Sequence, residues 1–100
     1  AGSSWSRPTR IGGETAQRSD LASRGGDLVV VWDENLGERS AVLLARSSDA
    51  GASWSRPLRL SSQAADASYP RVVATRWGYS VFWTEAEPAK PARLRIVTTK

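Results

Sequence analysis

The sequence contains no cysteine and no histidine. Without cysteine there is no disulfide, no thiolate nucleophile and no cysteine-ligated metal site. Without histidine the usual general base at neutral pH and the commonest transition-metal ligand are missing, which excludes histidine-dependent triads and zinc motifs. There is also no glycine-rich motif of the kind that cradles phosphate groups. We therefore expect no metal, no cofactor and no self-contained catalytic set.

Long apolar runs and clusters of one charge are also lacking. No apolar stretch approaches the roughly 18 residues that span a membrane, so no membrane span is expected. The formal charge is +4, but the arginines are spread along the sequence rather than gathered in one run. A nucleic-acid-binding protein would concentrate them on one face, so we expect no nucleic-acid partner. A solvated basic surface is the plainer interpretation, and attraction to acidic partners such as sugar acids is the alternative.

What the sequence does contain is an internal repeat. The segment Trp-Ser-Arg-Pro-Thr-Arg-Ile at 5–11 returns as Trp-Ser-Arg-Pro-Leu-Arg-Leu at 54–60, 49 positions later. The segment Val-Val-Val-Trp-Asp-Glu at 29–34 returns as Ser-Val-Phe-Trp-Thr-Glu at 80–85, 51 positions later. A period near 50 residues is typical of repeat architectures such as propeller blades.

Each repeat predicts short strands separated by turn residues. The continuous runs 29–31 and 72–73 are β-branched, as expected of strands buried on both faces. Pro8 and Pro57 lie early in the fourth strand of a repeat, and because proline cannot donate to a ladder we expect an edge strand there. The predicted strands are 21–23, 28–32 and 41–46 in the first repeat, and 71–75, 79–83 and 93–98 in the second, with Gly-containing turns at 24–27 and 76–78.

One segment carries a specific motif. Residues 47–54, Ser-Ser-Asp-Ala-Gly-Ala-Ser-Trp, fit the pattern Ser-x-Asp-x-Gly-x-Ser/Thr-Trp. In such a turn Asp49 accepts hydrogen bonds from nearby amides and from a serine hydroxyl. Gly51 permits a positive φ, and Trp54 anchors the turn on the sheet. The pattern resembles the Asp box, the bacterial neuraminidase repeat of sialidases, with Ser47, Asp49, Gly51, Ser53 and Trp54 as its structural residues.

The resemblance implies an all-β fold made of two four-stranded antiparallel blades of a sialidase-like propeller of the six-bladed type. Residues 1–100 would form a single two-blade unit, with repeat one at about 5–53 and repeat two at about 54–100. In that family the motif joins the third and fourth strands of a blade on the side away from the active site, so its role is structural. Family members are commonly exported, which implies an extracellular or periplasmic location.

The two ends of the sequence carry the same motif in two parts. Ala-Gly-Ser-Ser-Trp at 1–5 matches Ala-Gly-Ala-Ser-Trp at 50–54, and Thr-Lys at 99–100 matches Ser-Ser at 47–48. Two interpretations stay open: a pair of blades from a longer propeller, or a unit whose ends meet those of other copies. The expected partners are therefore the remaining blades of a parent propeller or further copies of the chain. Three copies would close a six-bladed ring.

Three residues are candidate ligand contacts, for a glycan or a sugar acid. Trp77 lies in a turn and has no aromatic counterpart in the first repeat, so it could stack on a sugar. Arg71 begins an expected inner strand, where a propeller places its central ligands. Tyr79 is of the type that sialidases use as a nucleophile, although core or rim packing is its alternative.

Acidic residues follow the second strand of each repeat. A glycosidase needs two carboxyl groups about 5–9.5 Å apart across the sugar. Asp33 and Glu34 are adjacent, so they point to opposite faces of a strand and make a poor pair. We interpret Asp33, Glu34, Glu85 and Glu87 as solvated loop acids, and we assign no catalytic residue.

The sequence thus favours a non-catalytic propeller module that serves as a binding or assembly surface. One alternative is a segment of an exo-sialidase or another glycoside hydrolase whose catalytic residues lie largely outside the chain. A second alternative is a small oligomeric lectin that binds carbohydrate.

Overall fold

The structure is a computed structural model that describes residues 11–13 and 15–100. The described residues form an all-β fold of seven strands, and they include no helix that is long and apolar enough to cross a membrane. The strands are β1 (Ala16–Arg24), β2 (Asp27–Leu36), β3 (Arg39–Ser47), β4 (Leu58–Arg59), β5 (Asp66–Ala74), β6 (Tyr79–Ala86) and β7 (Arg93–Thr99).

The first sheet is an antiparallel meander in the order β1-β2-β3-β4. The hairpin predicted around 24–27 is confirmed, and Gly25 takes the positive φ of 60° that its turn requires. The predicted edge strand is β4, which has only two residues and begins directly after Pro57 rather than including it. Pro57 cannot donate a backbone hydrogen bond, which limits pairing at this edge.

The second sheet contains three described strands in the order β5-β6-β7, all antiparallel. The predicted segments 71–75, 79–83 and 93–98 all fall largely within these strands. The eighth strand, predicted around Pro8, lies outside the described residues.

The two sheets pack face to face. The first sheet contributes the side chains that share a face with Val31, including Val29, Val42 and Leu44, and we call this its Val31 face. The second sheet contributes Tyr79, Val81 and Trp83, on what we call its Trp83 face. The side chains that form this core are buried, and burial of apolar area is the main favourable term in folding.

The repeat seen in the sequence is also present in the backbone. The first strand of each sheet has an irregularity in its register, between Ala16 and Ser19 in β1 and between Ser68 and Arg71 in β5. These two irregularities are 52 positions apart, close to the offset of the sequence repeat.

A side-chain hydrogen bond repeats as well. Trp32 Nε1 donates to Glu34 Oε1 at 2.6 Å, and Trp83 Nε1 donates to Glu85 Oε1 at 3.3 Å. The Val31 face of the first sheet packs on the Trp83 face of the second, so equivalent faces of the two sheets point in the same direction. The Trp83 face therefore points towards the first sheet, whereas the corresponding Trp32 face of the first sheet points away from the second.

The remaining two faces lie on the outside. The Trp32 face of the first sheet has a small buried cluster of Trp32, Ala41, Leu43 and Ala45. The opposite face of the second sheet carries Phe82, Leu94 and Ile96, and we call it the Phe82 face. Val73 shares this face and is 50% exposed, so the prediction that run 72–73 is buried on both sides was wrong for Val73. The reason is that no described element covers this face.

Candidate functional site

The loop after β3 is organised around one carboxylate. Asp49 Oδ1 accepts hydrogen bonds from the Ser47 hydroxyl at 2.7 Å and from the Ser53 amide at 2.9 Å, and its Oδ2 accepts from the Ser53 hydroxyl at 2.5 Å. The buried Ser47 hydroxyl in turn accepts from the Gly51 amide at 2.8 Å. The loop therefore satisfies its own polar groups, and these are the interactions that the sequence pattern at 47–54 predicts.

These hydrogen bonds favour the charged form of Asp49. They lower the pKa of its carboxyl group from 3.8 to about 2, and the Ser53 hydroxyl makes the largest contribution. The Ser53 amide and the Ser47 hydroxyl add to it. The carboxyl group lies at the surface, so the shift comes from hydrogen bonding rather than from burial.

Backbone geometry and one aromatic ring attach this loop to the first sheet. Gly51 has a φ of 94° and Ala50 a φ of 58°, so the chain makes its turn through two consecutive left-handed residues. The Ala50 amide donates to the Gly26 carbonyl oxygen at 3.0 Å in the β1–β2 turn. Trp54 then packs against the buried cluster of the Trp32 face. The loop thus covers one end of that face.

Replacing Asp49 by asparagine should reduce stability in a pH-dependent way. The folded-state pKa is lowered, so the contribution of the carboxylate is fully present above the unfolded value of 3.8 and is lost as pH falls through about 2. The difference in melting temperature between wild type and Asp49→Asn should therefore be constant near neutral pH and shrink between pH 4 and 2. Thermal unfolding followed by circular dichroism measures it.

Ser48 is the matched control because it is exposed in the same loop. Ser48→Ala should leave the melting temperature unchanged at every pH. A difference between wild type and Asp49→Asn that stays constant down to pH 2 would contradict the assigned hydrogen bonds.

Two aspartates connect the sheets, and neither was expected to do so. Asp33 Oδ2 accepts a hydrogen bond from the Tyr69 amide at 3.0 Å, and Asp20 Oδ2 accepts from the Val72 amide at 3.0 Å. Both amides belong to β5, in the other sheet. The interpretation of Asp33 as a solvated loop acid was wrong, since it lies in β2 and is 2% exposed. Strand β2 continues to Leu36, and Asp33 shares the Val31 face with the core valines.

The Asp33 side chain also anchors a stacked pair at the edge of the sheets. Arg18 Nε donates to Asp33 Oδ2 at 3.1 Å, and the Arg18 guanidinium lies 4.0 Å from the centre of the Tyr69 ring. Tyr69 has a φ of 58°, and its ring is mostly exposed. Arg18 and Tyr69 occupy equivalent repeat positions, so this contact joins the same irregular point of the two sheets.

Glu85 was also interpreted as a loop acid, and this too was wrong. It lies in β6 and is 3% exposed, with Oε2 3.6 Å from Arg93 Nη2 and 3.8 Å from Arg95 Nε. Glu87 follows β6 in a turn, where its carboxylate pairs with Lys90 at 3.3 Å. Glu34 also lies in β2 rather than in a loop, so the interpretation as a loop acid was wrong for it too. It points to the other side of the strand from Asp33, as expected, and accepts the Trp32 hydrogen bond.

The three candidate ligand contacts do not converge on one site. Trp77 lies in the β5–β6 turn and is 73% exposed, with the Arg76 guanidinium 5.7 Å from its ring. Arg71 lies in the interior of β5 rather than at its start, where it had been expected, and it is on the Phe82 face, opposite Phe82 in the ladder. Tyr79 begins β6 on the other side of the same sheet, is 1% exposed, and donates its hydroxyl to the Asp27 carbonyl at 3.3 Å. Tyr79 therefore occupies a core position, the packing alternative for this residue.

Both outer faces expose apolar side chains, although the central cluster of the Trp32 face is buried. Leu94 and Ile96 of the Phe82 face are each 62% exposed, and Leu21 of the Trp32 face is 56% exposed. A cleft of about 220 Å³ opens on the Trp32 face, lined by Ile11, Ala16, Val30 and Trp32 among others. Exposed apolar patches are a common feature of the interaction surfaces of proteins.

The chain was compared with protein-family models, curated proteins and solved structures. No protein-family model, no curated protein and no solved structure matches the chain.

Proposed function

We propose that the chain is a non-catalytic assembly module, a two-blade unit of a sialidase-like propeller that associates head to tail through its two outer sheet faces. The proposal rests on two apolar positions of β3 in the first sheet and on the two positions of β7 that are equivalent to them in the second sheet. Val42 and Leu44 stand opposite Asp33 and Val31 in the first sheet, where they are buried against the Trp83 face. Their equivalents in the second sheet stand opposite Thr84 and Phe82.

Those equivalents are Leu94 and Ile96, which are apolar although each is 62% exposed. In the first sheet the equivalent residues, Val42 and Leu44, pack on the Trp83 face of the second sheet. The tryptophan face that lacks a neighbouring sheet is the Trp32 face, with its apolar cleft. The contact inside the chain therefore serves as a pattern for a contact between chains, in which Leu94 and Ile96 of one copy enter the Trp32 face of another. Such a contact is heterologous, and it forms a ring if the rotation closes.

The placement of the candidate ligand residues favours assembly over catalysis. Arg71 and Tyr79 lie on opposite faces of one sheet. Trp77 lies in the turn after β5, at the end of the sheets where the neighbouring Arg76 carbonyl accepts a hydrogen bond from Arg24 at 3.0 Å. The loop at 47–54 touches the β1–β2 turn at this same end. The Asp-box resemblance puts this end opposite a sialidase active site.

Substitution of either outer face tests the proposal. Ile96→Lys on one face and Leu21→Lys on the other should each convert the oligomer to a folded monomer, because a lysine cannot be buried unpaired in an apolar contact. Leu58→Lys is the matched control, since Leu58 is 59% exposed but lies on the edge strand of the first sheet. Sedimentation velocity at micromolar concentration measures the change.

Mixing the two variants separates a head-to-tail contact from a symmetric one. Each variant keeps one intact face, so Ile96→Lys and Leu21→Lys together should form a one-to-one heterodimer that grows no further. A symmetric contact between identical faces would instead leave one of the variants dimeric on its own. That result, or an oligomer unaffected by both substitutions, would contradict the proposal.

The exposure of Trp77 favours a second candidate function, a lectin that stacks a sugar on this indole. Binding on a glycan array that disappears in Trp77→Ala while the oligomer persists would support it. An array without any bound glycan would leave assembly as the function.

A further inference from the structure

Among the described residues, the second sheet ends in an open edge, whereas a fourth strand closes the first sheet. In the first sheet β4 pairs with β3, with Leu43 opposite Arg59 and Leu44 opposite Leu58. The Leu60 amide also donates to the Val42 carbonyl oxygen at 2.9 Å. In the second sheet β7 occupies the place of β3, and no described strand pairs with its outer edge. An unpaired edge is a site for another strand to add.

A second contact of the first sheet has no described counterpart on β7. Just after the loop at 47–54, the Ser55 amide donates to the Arg46 carbonyl at 2.8 Å, and the Arg46 amide donates to the Ser55 hydroxyl at 2.9 Å. The position equivalent to Arg46 is Thr98, near the end of β7. Next to it lies a cleft of about 510 Å³, lined by Trp77, Tyr79, Thr99 and Lys100 among others.

This cleft is at the position equivalent to the one that the loop at 47–54 occupies in the first sheet, next to the β1–β2 turn. In the first sheet the Ala50 amide donates to the Gly26 carbonyl oxygen. A side chain at Gly51 would meet Leu28 and Trp54. Gly26 and Leu28 are equivalent to Trp77 and Tyr79, which line the open cleft. The open edge and the open cleft are therefore one continuous site, and it fits a segment with the sequence of 50–60.

The chain contains one other segment of that kind. Residues 1–11 read Ala-Gly-Ser-Ser-Trp-Ser-Arg-Pro-Thr-Arg-Ile, against Ala-Gly-Ala-Ser-Trp-Ser-Arg-Pro-Leu-Arg-Leu at 50–60. Leu60, the last residue of the segment 50–60, packs against the core between the two sheets and leads to β5. Its equivalent Ile11 packs against the cluster of the Trp32 face and leads to β1. Ile11 thus lies on the side of the first sheet that faces away from the second sheet of its own chain.

We propose that residues 1–10 of one copy bind the β7 edge and adjoining cleft of a second copy, as an added antiparallel strand. This inference rests on the proposed head-to-tail contact, because the sheet that docks on the Trp32 face is the one whose edge the segment reaches. The register follows from the first sheet: Thr9 lies opposite Ile96, and Arg10 lies opposite Arg95. Backbone hydrogen bonds supply the binding, and pockets for alternate side chains supply the specificity, as in other cases of strand addition.

Cysteine cross-linking tests the register, since the chain has no cysteine of its own. The Leu60–Val42 hydrogen bond makes the neighbouring pair, Leu43 and Arg59, a non-hydrogen-bonded pair whose spacing suits a disulfide. Arg10→Cys and Arg95→Cys, the equivalent positions, are prepared as separate proteins, with one labelled with nitrogen-15. Mixed under mild oxidation, they should give a mixed-label disulfide dimer, which mass spectrometry identifies.

Arg93→Cys in place of Arg95→Cys is the control, because it is displaced by two positions along the same side of β7. The Arg10–Arg95 pair should form the mixed dimer at least about tenfold more than the Arg10–Arg93 pair. If the protein is oligomeric but the two pairs cross-link equally, the strand addition is wrong and the face-to-face assembly stands. If sedimentation finds only monomer, both the assembly and the strand addition are wrong.

Discussion

Replacing Trp83 by alanine should lower the free energy of unfolding by about 3–5 kcal/mol, the usual cost of truncating a large buried aromatic residue. Trp83 is 2% exposed and lies in the core between the two sheets, beside Val81 and Tyr79. A domain of this size has only about 5–15 kcal/mol in total. The variant should therefore unfold at a much lower urea concentration than wild type, measured by circular dichroism at one protein concentration.

Leu36→Ala is the control, since it truncates a large apolar side chain that is 43% exposed at the end of β2. Its free energy of unfolding should stay within about 0.5 kcal/mol of wild type. Equal losses for the two variants would mean that the core does not lie between the sheets as described.

Replacing Asp33 by alanine should destabilise the contact between the sheets by about 1–3 kcal/mol, the cost of leaving buried polar groups without partners. The substitution removes the acceptor of the Tyr69 amide and of the Arg18 guanidinium. Asp33→Asn keeps an oxygen acceptor at the same place and should lose less. Urea unfolding measures both variants.

Glu38→Ala serves as the control for Asp33, because Glu38 is exposed in the turn between β2 and β3. Its stability should equal that of wild type. If Asp33→Ala were as stable as Glu38→Ala, the aspartate would have no role in joining the sheets.

The repeat and the strands could be predicted from the sequence because they depend on local signals. Turn residues such as Gly25 and the edge-strand signal of Pro57 depend only on backbone chemistry. The hydrogen bonds of Asp49 and Ser47 in the loop at 47–54 were equally predictable, since they join residues at most four positions apart. One detail was missed: Ala50 takes a positive φ in addition to Gly51.

The buried acids could not be predicted in the same way, because their partners are distant in the sequence. The Tyr69 amide that Asp33 binds is 36 positions away, and the Val72 amide that Asp20 binds is 52 positions away. A usable signal was present nonetheless. Asp33 continues the alternation of Val29 and Val31, so it shares their face and needed a partner in the facing sheet.

The exposure of Arg71 and Val73 depends on what covers the second sheet. Both residues share the Phe82 face, because the register shift before Arg71 places it opposite Phe82. The sequence shows that residues 72 and 73 are both apolar, but both side chains can be buried only if each face of the second sheet is covered by another sheet. In the proposed assembly that neighbour is the Trp32 face of another copy.

The mass of the native particle tests the central proposal most directly. Native mass spectrometry of the unmodified protein at micromolar concentration should give an assembly of the 10.8 kDa chain, with three copies if the sheets close into a six-bladed ring. A folded chain that stays a single copy under these conditions would contradict the proposal.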